Sequence, residues 1–568
     1  MAMALMTVVA GAAEEKVGLA DKTLALLRRA SYAETLPEQI EQLKTDPQVL
    51  RFAESRKRLA ADPYRPVYHF VSPEGMMVDP DGLCFWQGQY HLFYIAQPLN
   101  DPCFYWGHAV SKDLIHWQDL PLAIYPPLSG DPREDPLSRH GSVFSGATLV
   151  EKDRVIAMFH QLWMGNMVAV ASDPLLLNWR KIPGGNPADS VPPHMLKQER
   201  PVIYLNGEAD KSNGHPYRVF DPCIWKEEDR YYALSGTFWN GEMHKDCTMV
   251  EQLFSSRDLR QWEYLGPLVE GTGFTEPGED GACPYFWPLG DKHILIFLSH
   301  KRGSQYLLGD YDKATHKFKP WAHGRFNFGT IGPGGIMAPS ATPDGKGGVY
   351  VIHNVNEARP TRGWNQLMSL PRLLTLRSDR TLGIEPVAAV STLRQAGQSV
   401  DKRSLPADQE LVLPDIRGNA LELLVEIDPR DAQEVCLTVL RSPGREEYTA
   451  IRFLRRGHVS TNSSGRTVTR DALIIDSSHA SLHPDVKSRP PEVAPFDLPA
   501  GEPLRLRVFV DRSIVEVFAN GRQSVALRVY PQRPDSLGVS LTAQNGDAVL
   551  RRVDAWQMKS IYAAANDL

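Results

Sequence analysis

The chain has 568 residues, with 62 Lys and Arg against 68 Asp and Glu and a formal net charge of −6 at pH 7. This length exceeds what one hydrophobic core supports, so we expect two or three domains. The small charge and the dispersed basic residues argue against nucleic-acid binding, and no apolar run reaches the roughly 20 residues that cross a bilayer.

The N-terminal part of the sequence, residues 1–62, is predicted to be a helical extension, with Asp46-Pro47 as an N-cap followed by proline at the first helical position. Residues 1–13 have the apolar centre and small-residue end of a secretory signal, without the preceding Lys or Arg. A secreted or periplasmic protein is therefore one expectation, and a cytoplasmic protein is the other.

From residue 63 the sequence consists of short aromatic and β-branched runs separated by Gly, Pro and Asp, which predicts an all-β region. Five copies of one hairpin pattern are visible, at 82–94, 146–161, 223–234, 284–299 and about 338–353. Three copies are followed by an aspartate-led turn that ends in tryptophan: Ser111–Trp117, Ser172–Trp179 and Ser256–Trp262. Repeats of this kind predict a five-bladed β-propeller over residues 63–385, with these tryptophans in its core.

A second β region follows, predicted as a two-sheet β-sandwich over residues 400–560. Residues 411–428 and 504–518 alternate apolar and polar side chains, as strands with one buried face do. Residues 519–522, Ala-Asn-Gly-Arg, supply an Asn-Gly hairpin turn. The six cysteines have neither metal-site spacing nor the density of a disulfide scaffold, so we expect mostly buried free thiols. No metal and no organic cofactor is predicted.

Two aspartates start propeller hairpins with the same Asp-Pro step. Asp79 begins the first hairpin, in Val-Asp-Pro-Asp-Gly, and Asp221 begins the third, in Phe-Asp-Pro-Cys. Proline restricts the residue before it, and Asp81-Gly82 favours a turn, so Asp79 is predicted to sit on a stiff turn. Because the first strand of every blade lines the channel of a propeller, Asp79 and Asp221 should converge there.

Further acids and aromatic residues accompany them. Glu279 and Asp280 lie two or three residues before the point of the fourth hairpin that we take as equivalent to Asp79. Carboxylates can act as nucleophile and general acid on a sugar, while aromatic faces cover the apolar face of the ring. The aromatic candidates for sugar contact are Trp86, Trp106, Phe144 and Trp364, with core packing as the alternative for each.

The sequence resembles the β-fructofuranosidase family of glycoside hydrolases, which pairs a five-bladed propeller with a β-sandwich. The resemblance covers residues 65 to 560. It is carried by these segments: Asp79–Gly82, Trp106–Trp117, Phe144–Gly146, Trp364–Arg372 and Phe509–Phe518. It implies that Asp79 is the nucleophile and that Asp221 stabilises the transition state, and it adds Ser145 to the substrate-binding candidates.

Three catalytic motifs depart from the family pattern. Val78 and Asp81 stand where the first motif has asparagines, Phe220 stands where the second has arginine, and Ala282 stands where the third has its general acid, a glutamate. Loss of the arginine replaces a charged donor by an apolar face, which makes Phe220 a candidate for substrate contact. The substrate is therefore left open to fructosides and other furanosides, including arabinofuranosides.

Three explanations of Ala282 are open. It could be an engineered substitution, a neighbouring acid (Asp280 or Glu279) could take over, or the site could bind sugar without cleaving it. We favour the second and predict a retaining glycosidase of β-fructofuranosides or related furanosides. The alternatives are a non-catalytic carbohydrate-binding propeller and a structural propeller that binds proteins. The predicted partner is a sugar or oligosaccharide, and the sequence does not predict an oligomeric state.

Overall fold

The computed structural model describes residues 28–29, 31–126, 141–162, 164–185, 199–204, 219–237, 251–271, 274–276, 278–461 and 466–562. The 1–13 stretch that suggested export lies outside the described residues. Within them, strands dominate, which confirms the all-β class. No helix in these ranges has the length and apolar character that spanning a membrane requires.

Within the described ranges three short helices accompany the strands: α1 (Leu36–Leu43), α2 (Pro47–Leu59) and a 3-10 helix (Ala388–Leu393). The predicted cap of α2 is confirmed, because Asp46 accepts hydrogen bonds from the backbone N–H groups of Gln48 and Val49 at 2.9 and 3.2 Å. Pro47 takes the first helical position, where no intrahelical donor is needed.

Five antiparallel sheets follow one another along the first part of the chain. The first contains β1 (Met76–Trp86), β2 (Gln89–Gln97), β3 (Tyr105–Ser111) and β4 (Trp117–Ile124). The second contains β5 (Val143–Val150), β6 (Val155–Gln161), β7 (Gly165–Ala171), β8 (Arg180–Ile182) and β9 (Ile203–Tyr204). The third contains β10 (Val219–Glu227), β11 (Arg230–Thr237), β12 (Gln252–Ser256) and β13 (Glu263–Pro267). The fourth contains β14 (Ala282–Leu289), β15 (Lys292–Ser299), β16 (Gly303–Asp312) and β17 (Lys317–Arg325). The fifth contains β18 (Ile336–Pro343), β19 (Val349–Val355), β20 (Leu367–Met368), β21 (Arg372–Leu376) and β22 (Leu382–Pro386).

Each of these sheets begins with one of the five predicted hairpins, and all five hairpins are confirmed. The first strands of the sheets contact one another in cyclic order: β1 with β5, β5 with β10, β10 with β14, β14 with β18, and β18 with β1. The starts of these five strands therefore meet around a common centre.

Every one of the five first strands carries a β-bulge near its start, where two of its residues face a single residue of the next strand. The bulged pairs are Val78-Asp79, Phe144-Ser145, Phe220-Asp221, Cys283-Pro284 and Met337-Ala338. A bulge bends the strand and redirects its side chains, and it also admits proline into a sheet. The same local device thus sets the direction of the side chains at each strand start.

The sandwich consists of two six-stranded sheets that enclose a second apolar core. One sheet contains β23 (Arg394–Leu405), β34 (Ala548–Met558), β25 (Ala420–Asp428), β30 (Leu504–Asp511), β31 (Ile514–Ala519) and β32 (Gln523–Arg528). The other contains β24 (Glu410–Arg417), β33 (Gly538–Gln544), β26 (Glu434–Arg441), β27 (Thr449–Thr461), β28 (Thr467–Asp476) and β29 (Glu492–Pro495).

Two details of this region bear on the predicted pattern. Asn520 and Gly521 connect β31 and β32 with φ values of 47° and 63°, as the predicted Asn-Gly turn requires. The alternating run at 411–428 forms two strands in different sheets, because the first strand ends before Gly418-Asn419 and the chain there crosses to the other sheet.

A buried ionic cluster joins the sandwich to the segment that precedes β1. Asp511 accepts hydrogen bonds from the backbone N–H groups of Val67, Tyr68 and His69 at 2.8–2.9 Å, and His69 Nδ1 lies 2.9 Å from the same carboxylate. Glu516 bonds Arg372 Nη2 at 3.0 Å. The side chains of His69, Asp511, Glu516 and Arg372 are fully buried.

Candidate active site

The conformation around Asp79 differs from the prediction. Asp79-Pro80-Asp81-Gly82 does not form a turn but lies inside β1, because the bulge at Val78-Asp79 accommodates the proline within the sheet. Asp221 occupies the corresponding bulge position of β10. The structure therefore brings the two predicted aspartates to equivalent points on two of the converging strands.

Cys283 connects the two aspartates. Its Sγ atom lies 3.6 Å from Asp79 Oδ2 and 3.3 Å from Asp221 Oδ2, and its backbone N–H donates to the same Asp221 oxygen at 3.2 Å. The separation of the two carboxylate oxygens cannot exceed the sum of the two sulfur distances. It therefore falls within the span of about 10 Å that glycosidase carboxyl pairs occupy.

Ser145 and Tyr285 organise the rest of the centre. Ser145 Oγ donates to Asp79 Oδ2 at 2.7 Å, so Ser145 takes the place expected for a site residue. Below it, Tyr285 Oη donates to the carbonyl of Gly146 at 2.9 Å and accepts from the N–H of Gly82 at 3.1 Å. These bonds hold three of the five first strands in a fixed relation, which positions the carboxylates above them.

The two aspartates differ in exposure and in electrostatics. Asp79 is half-buried, whereas Asp221 is only 2% exposed. Burial raises the pKa of Asp79, against the lowering effects of the Ser145 bond and the positive charge of His300. Burial and the neighbouring Asp79 charge raise the pKa of Asp221 to about 7. Asp79 is thus the carboxylate that combines solvent access with ionising hydrogen-bond donors.

Asp81 is a third carboxyl group in this centre, and it is only 1% exposed. Its Oδ1 accepts from the N–H of Gly146 at 3.0 Å, while Oδ2 has no hydrogen-bond partner within the described ranges. Burial, followed by the charge of Asp79, raises its pKa well above the ordinary value. Its surroundings therefore favour the neutral carboxylic acid, which is close in shape and charge to the asparagine that the family pattern has there.

We expect Asp81→Asn to stabilise the protein at pH 7. The raised pKa means that Asp81 binds its proton more tightly in the folded state than in the unfolded state, so its cost to stability is absent below its ordinary pKa and grows as pH rises toward the folded value. The substitution removes that cost. Thermal unfolding should show a larger gain at pH 7 than at about pH 4, and an equal gain at both would contradict a neutral Asp81.

Glu279 is held as a carboxylate, which corrects the expectation that it supplies a proton. Its oxygens accept from Arg302 Nε and Nη2 at 2.8 and 2.6 Å and from Gln305 Nε2 at 2.6 Å. Although burial opposes ionisation, these bonds lower its pKa. The bulge register also makes Pro284 the residue equivalent to Asp79, so Glu279 and Asp280 lie further from that point than predicted.

Asp280 is paired with His300, the residue that follows β15. The backbone N–H of His300 donates to Asp280 Oδ1 at 3.0 Å, and its Nδ1 lies 2.5 Å from Oδ2. Burial opposes the charge on His300, but the carboxylates of Asp280, Asp221 and Asp79 raise its pKa to about 9. The imidazole is therefore a cation at neutral pH, next to the predicted catalytic aspartates.

Ala282 lies at the start of β14 and is 1% exposed. It belongs to an apolar cluster with Cys283, Leu298, Met337 and Ala338, against which Phe220 and Ile331 pack. Phe220 is half-buried, and its ring centroid is 5.1 Å from that of His160. One wall of the site is consequently apolar at the two positions where the family pattern has charged residues.

The four aromatic candidates occupy different environments. Half-buried Phe144 adjoins Ser145 at the centre. Trp106 is fully buried and donates from Nε1 to the carbonyl of Phe144 at 2.9 Å, so it supports the site from below. Trp86 donates to the carbonyl of Asp173 within an apolar core. Trp364 donates to Asp62 Oδ2 at 2.8 Å, and two arginine side chains lie against its ring.

Arg65 and Arg528 place their guanidinium groups 5.5 and 5.6 Å from the ring centroid of Trp364. Trp364 is therefore a packing residue between the N-terminal segment and the sandwich. The prediction of sugar contact is wrong for Trp86, Trp106 and Trp364, since their burial leaves no ring face for a ligand. The core-packing alternative stated for each of them is the one that the structure supports.

The sequence analysis missed His300 and Glu251. Glu251 directly precedes β12 and is fully buried, and neither of its carboxylate oxygens has a hydrogen-bond partner in the part of the chain that the structure describes. Burial and the charges of Asp280 and Asp221 raise its pKa well above the ordinary value. The available signal was position: both residues flank apolar strands at the sheet ends where the other acids lie.

These features define a class: an all-β protein in which a cyclic set of sheets gathers carboxyl groups at its centre beside a sandwich. The model for the glycosyl hydrolases family 32 N-terminal domain matches residues 69–386, and the model for the glycosyl hydrolases family 32 C terminal matches residues 389–557. Because these matches cover well over half of the chain, the protein belongs to glycosyl hydrolases family 32.

Individual proteins agree with the family match. A levanase from Bacillus subtilis strain 168 is 26% identical over 537 residues, covering 88% of this chain and 71% of the levanase. A sucrose-6-phosphate hydrolase from Escherichia coli is 28% identical over 519 residues, covering 87% and 95%. Fructan 1-exohydrolase IIa from Cichorium intybus, solved in complex with 1-kestose, has a TM-score of 0.69 at 21% identity, covering 88% and 98%. The predicted resemblance and the propeller-plus-sandwich fold are confirmed, and the family supports the predicted glycoside hydrolase function.

Proposed function

We propose that the protein is a retaining glycoside hydrolase of β-fructofuranosides or related furanosides, with its site at the centre of a five-bladed propeller. The single observation that carries the proposal is that Asp79 and Asp221 come together at one sulfur atom: an Oδ2 atom of each lies near Cys283 Sγ, at 3.6 and 3.3 Å respectively. Asp79, the more exposed of the two, can form the covalent bond of a double displacement, and Asp221 lies close enough to act on the same sugar.

The roles of the two aspartates follow from their surroundings. Asp79 is half-buried, and the Ser145 hydroxyl fixes one of its oxygens, which directs the carboxylate toward an anomeric carbon. Asp221 is deeply buried, with Oδ1 left without a hydrogen-bond partner among the described residues. The Asp221 carboxylate is suited to stabilise the positive charge that develops on the sugar, an interaction that strengthens in the transition state.

The substrate class is proposed from the family and from the apolar wall. A relative is a levanase, and a solved neighbour holds 1-kestose, which favours fructosides and oligosaccharides. Phe220 and the cluster around Ala282 replace charged groups by apolar surface on one side. Furanosides with fewer polar contacts on that side, including arabinofuranosides, are therefore included in the proposal.

The second candidate function is binding of carbohydrate without cleavage. The observation in its favour is Ala282, which leaves an apolar side chain where the family pattern has the general acid. Loss of acid assistance without a replacement lowers a rate on the order of 10²- to 10⁴-fold.

Turnover and binding assays separate the two functions. The purified chain is incubated with sucrose, 1-kestose, levan and 4-nitrophenyl arabinofuranosides, and NMR identifies the anomer released first. We expect release of the retained anomer from at least one fructoside or arabinofuranoside. Measurable binding by calorimetry with no turnover of any of them would favour the non-catalytic function, and release of the inverted anomer would exclude the double displacement.

A further inference from the structure

A protonated imidazole lies at the rim of the carboxylate centre, fixed by its own aspartate. We propose that His300 is the proton donor to the leaving oxygen and that Asp280 is the residue that positions it. This inference rests on the proposed function, since it supplies the general acid for that reaction. In this reaction a charged imidazole takes the part that a carboxylic acid plays in glycosidases with the usual pair of Asp and Glu residues.

The geometry fixes the ring in one orientation. Asp280 uses Oδ1 to accept the His300 backbone N–H at 3.0 Å and Oδ2 to bind Nδ1 at 2.5 Å. This leaves Nε2 as the ring nitrogen on the side away from Asp280. The Asp280 side chain is 1% exposed, whereas that of His300 is 19% exposed, so it is the imidazole that reaches the open side of the pair.

His300 also lies close enough to both catalytic aspartates to affect their ionisation. The positive charge of His300 lowers the pKa values of Asp79 and Asp221. In turn, the negative charges of Asp79 and Asp221 raise the pKa of His300, and that of Asp280 raises it more. The charge of Asp280 also contributes to raising the pKa of Glu251. The donor therefore belongs to the same electrostatic unit as the nucleophile.

The other acids of the centre are poorly placed to donate a proton. Glu279 is fixed as a carboxylate by Arg302 and Gln305. Glu251 carries a raised pKa, yet it is fully buried. Asp81 is only 1% exposed. A donor must reach the glycosidic oxygen within about 3 Å, and His300 is the protonated group among these that has access.

The reaction balances with these residues alone. An Asp79 oxygen forms a bond to the anomeric carbon while the glycosidic C–O bond breaks. The electron pair of that bond stays on the leaving oxygen, which takes the proton from His300 Nε2 and departs as an alcohol. In the second step His300 accepts a proton from water, the water oxygen bonds to the anomeric carbon, and the bond to Asp79 breaks. The carboxylate and the imidazolium are then restored.

The test compares two leaving groups. A 4-nitrophenyl furanoside releases 4-nitrophenolate, which leaves without protonation. The leaving group of sucrose or 1-kestose is a sugar hydroxyl, which requires a proton. For His300→Gln we expect kcat/KM on the alkyl glycoside to fall on the order of 10²- to 10⁴-fold and that on the nitrophenyl glycoside to fall far less. Added imidazole should restore part of the alkyl activity of His300→Gly.

The role of Asp280 has its own readout. The alkaline limb of the pH profile of kcat/KM should lie near pH 9 in the unaltered chain, where His300 loses its proton. Asp280→Asn removes the carboxylate that contributes most to this raised value, so the limb should move to lower pH. An unmoved limb would overturn the positioning role.

Glu251→Gln is the matched control, because Glu251 is fully buried and its raised pKa favours the neutral acid, which the amide resembles in shape. It should keep the leaving-group dependence of the unaltered chain. If Glu251→Gln instead selectively lost the alkyl glycoside, or if His300→Gln lost both substrates equally, the His300 role would be overturned while the proposed function stood. If the unaltered chain turned over neither substrate, the proposed function would fail and the donor role with it.

Discussion

Asp79→Asn is expected to lower kcat/KM for any furanoside substrate by roughly 10⁴- to 10⁶-fold, the range that loss of a catalytic nucleophile produces. The substitution keeps the shape of the side chain and the bond from Ser145. It removes the negative charge that attacks the anomeric carbon. Because the nitrophenyl glycoside also needs this attack, both leaving groups should be affected alike.

Asp81→Asn is the matched control on the same strand, two residues further along. Asp81 is buried, its pKa is raised by burial, and it accepts a hydrogen bond from the backbone N–H of Gly146. Its amide isostere should therefore keep the rate within the same order of magnitude as the unaltered chain. An Asp79→Asn variant that retained the activity of Asp81→Asn would remove Asp79 from the nucleophile role.

The sequence supports the prediction of strands and hairpins because their signals are local. Alternating side chains and the Asn520-Gly521 turn are set by neighbouring residues, and they predict the pairing of β31 with β32. Bulges are not visible in this way. The conformation of Asp79-Pro80 follows from the two-against-one register of β1 with β2, so a sequence motif that favours a turn lies within a strand.

Site residues are predictable where each one carries its own motif, and they are missed where the role depends on a distant partner. Asp79 and Asp221 share an Asp-Pro step. Asp280 acquires its significance only from His300, twenty residues later. Glu279 is a candidate acid by sequence position, but in the structure Arg302 donates hydrogen bonds to both of its oxygens. Pairings across strands of this kind depend on register, which the sequence pattern leaves open.

Glu516→Gln is expected to lower the free energy of unfolding by about 3–5 kcal/mol, the cost of breaking a buried ion pair from one side. Arg372 is fully buried, and it would keep its charge without the carboxylate that now lies 3.0 Å away. His69, whose Nε2 is 3.4 Å from Glu516, would lose a second counter-charge. Urea unfolding followed by tryptophan fluorescence measures the change.

The matched control is Glu426→Gln, a surface glutamate that pairs with Arg505 at 3.4 Å and Arg551 at 3.2 Å. Exposed pairs contribute roughly 0–1 kcal/mol, so this variant should unfold close to the unaltered chain. A loss no larger in Glu516→Gln than in Glu426→Gln would show that the buried ion pair of Glu516 and Arg372 does not stabilise the fold.

The pH dependence of the free energy of unfolding tests the ionic cluster of His69, Asp511, Glu516 and Arg372. Burial opposes the charge on His69, but the bonds to Asp511 and Glu516 raise its pKa to about 9. The proton is bound more tightly in the folded state, so the stabilisation is complete below the unfolded value of about 6.5 and is lost as pH rises through about 9. In Glu516→Gln that loss should begin at the same pH, end at a lower pH and be smaller, because one of the two carboxylates that raise the His69 pKa is gone.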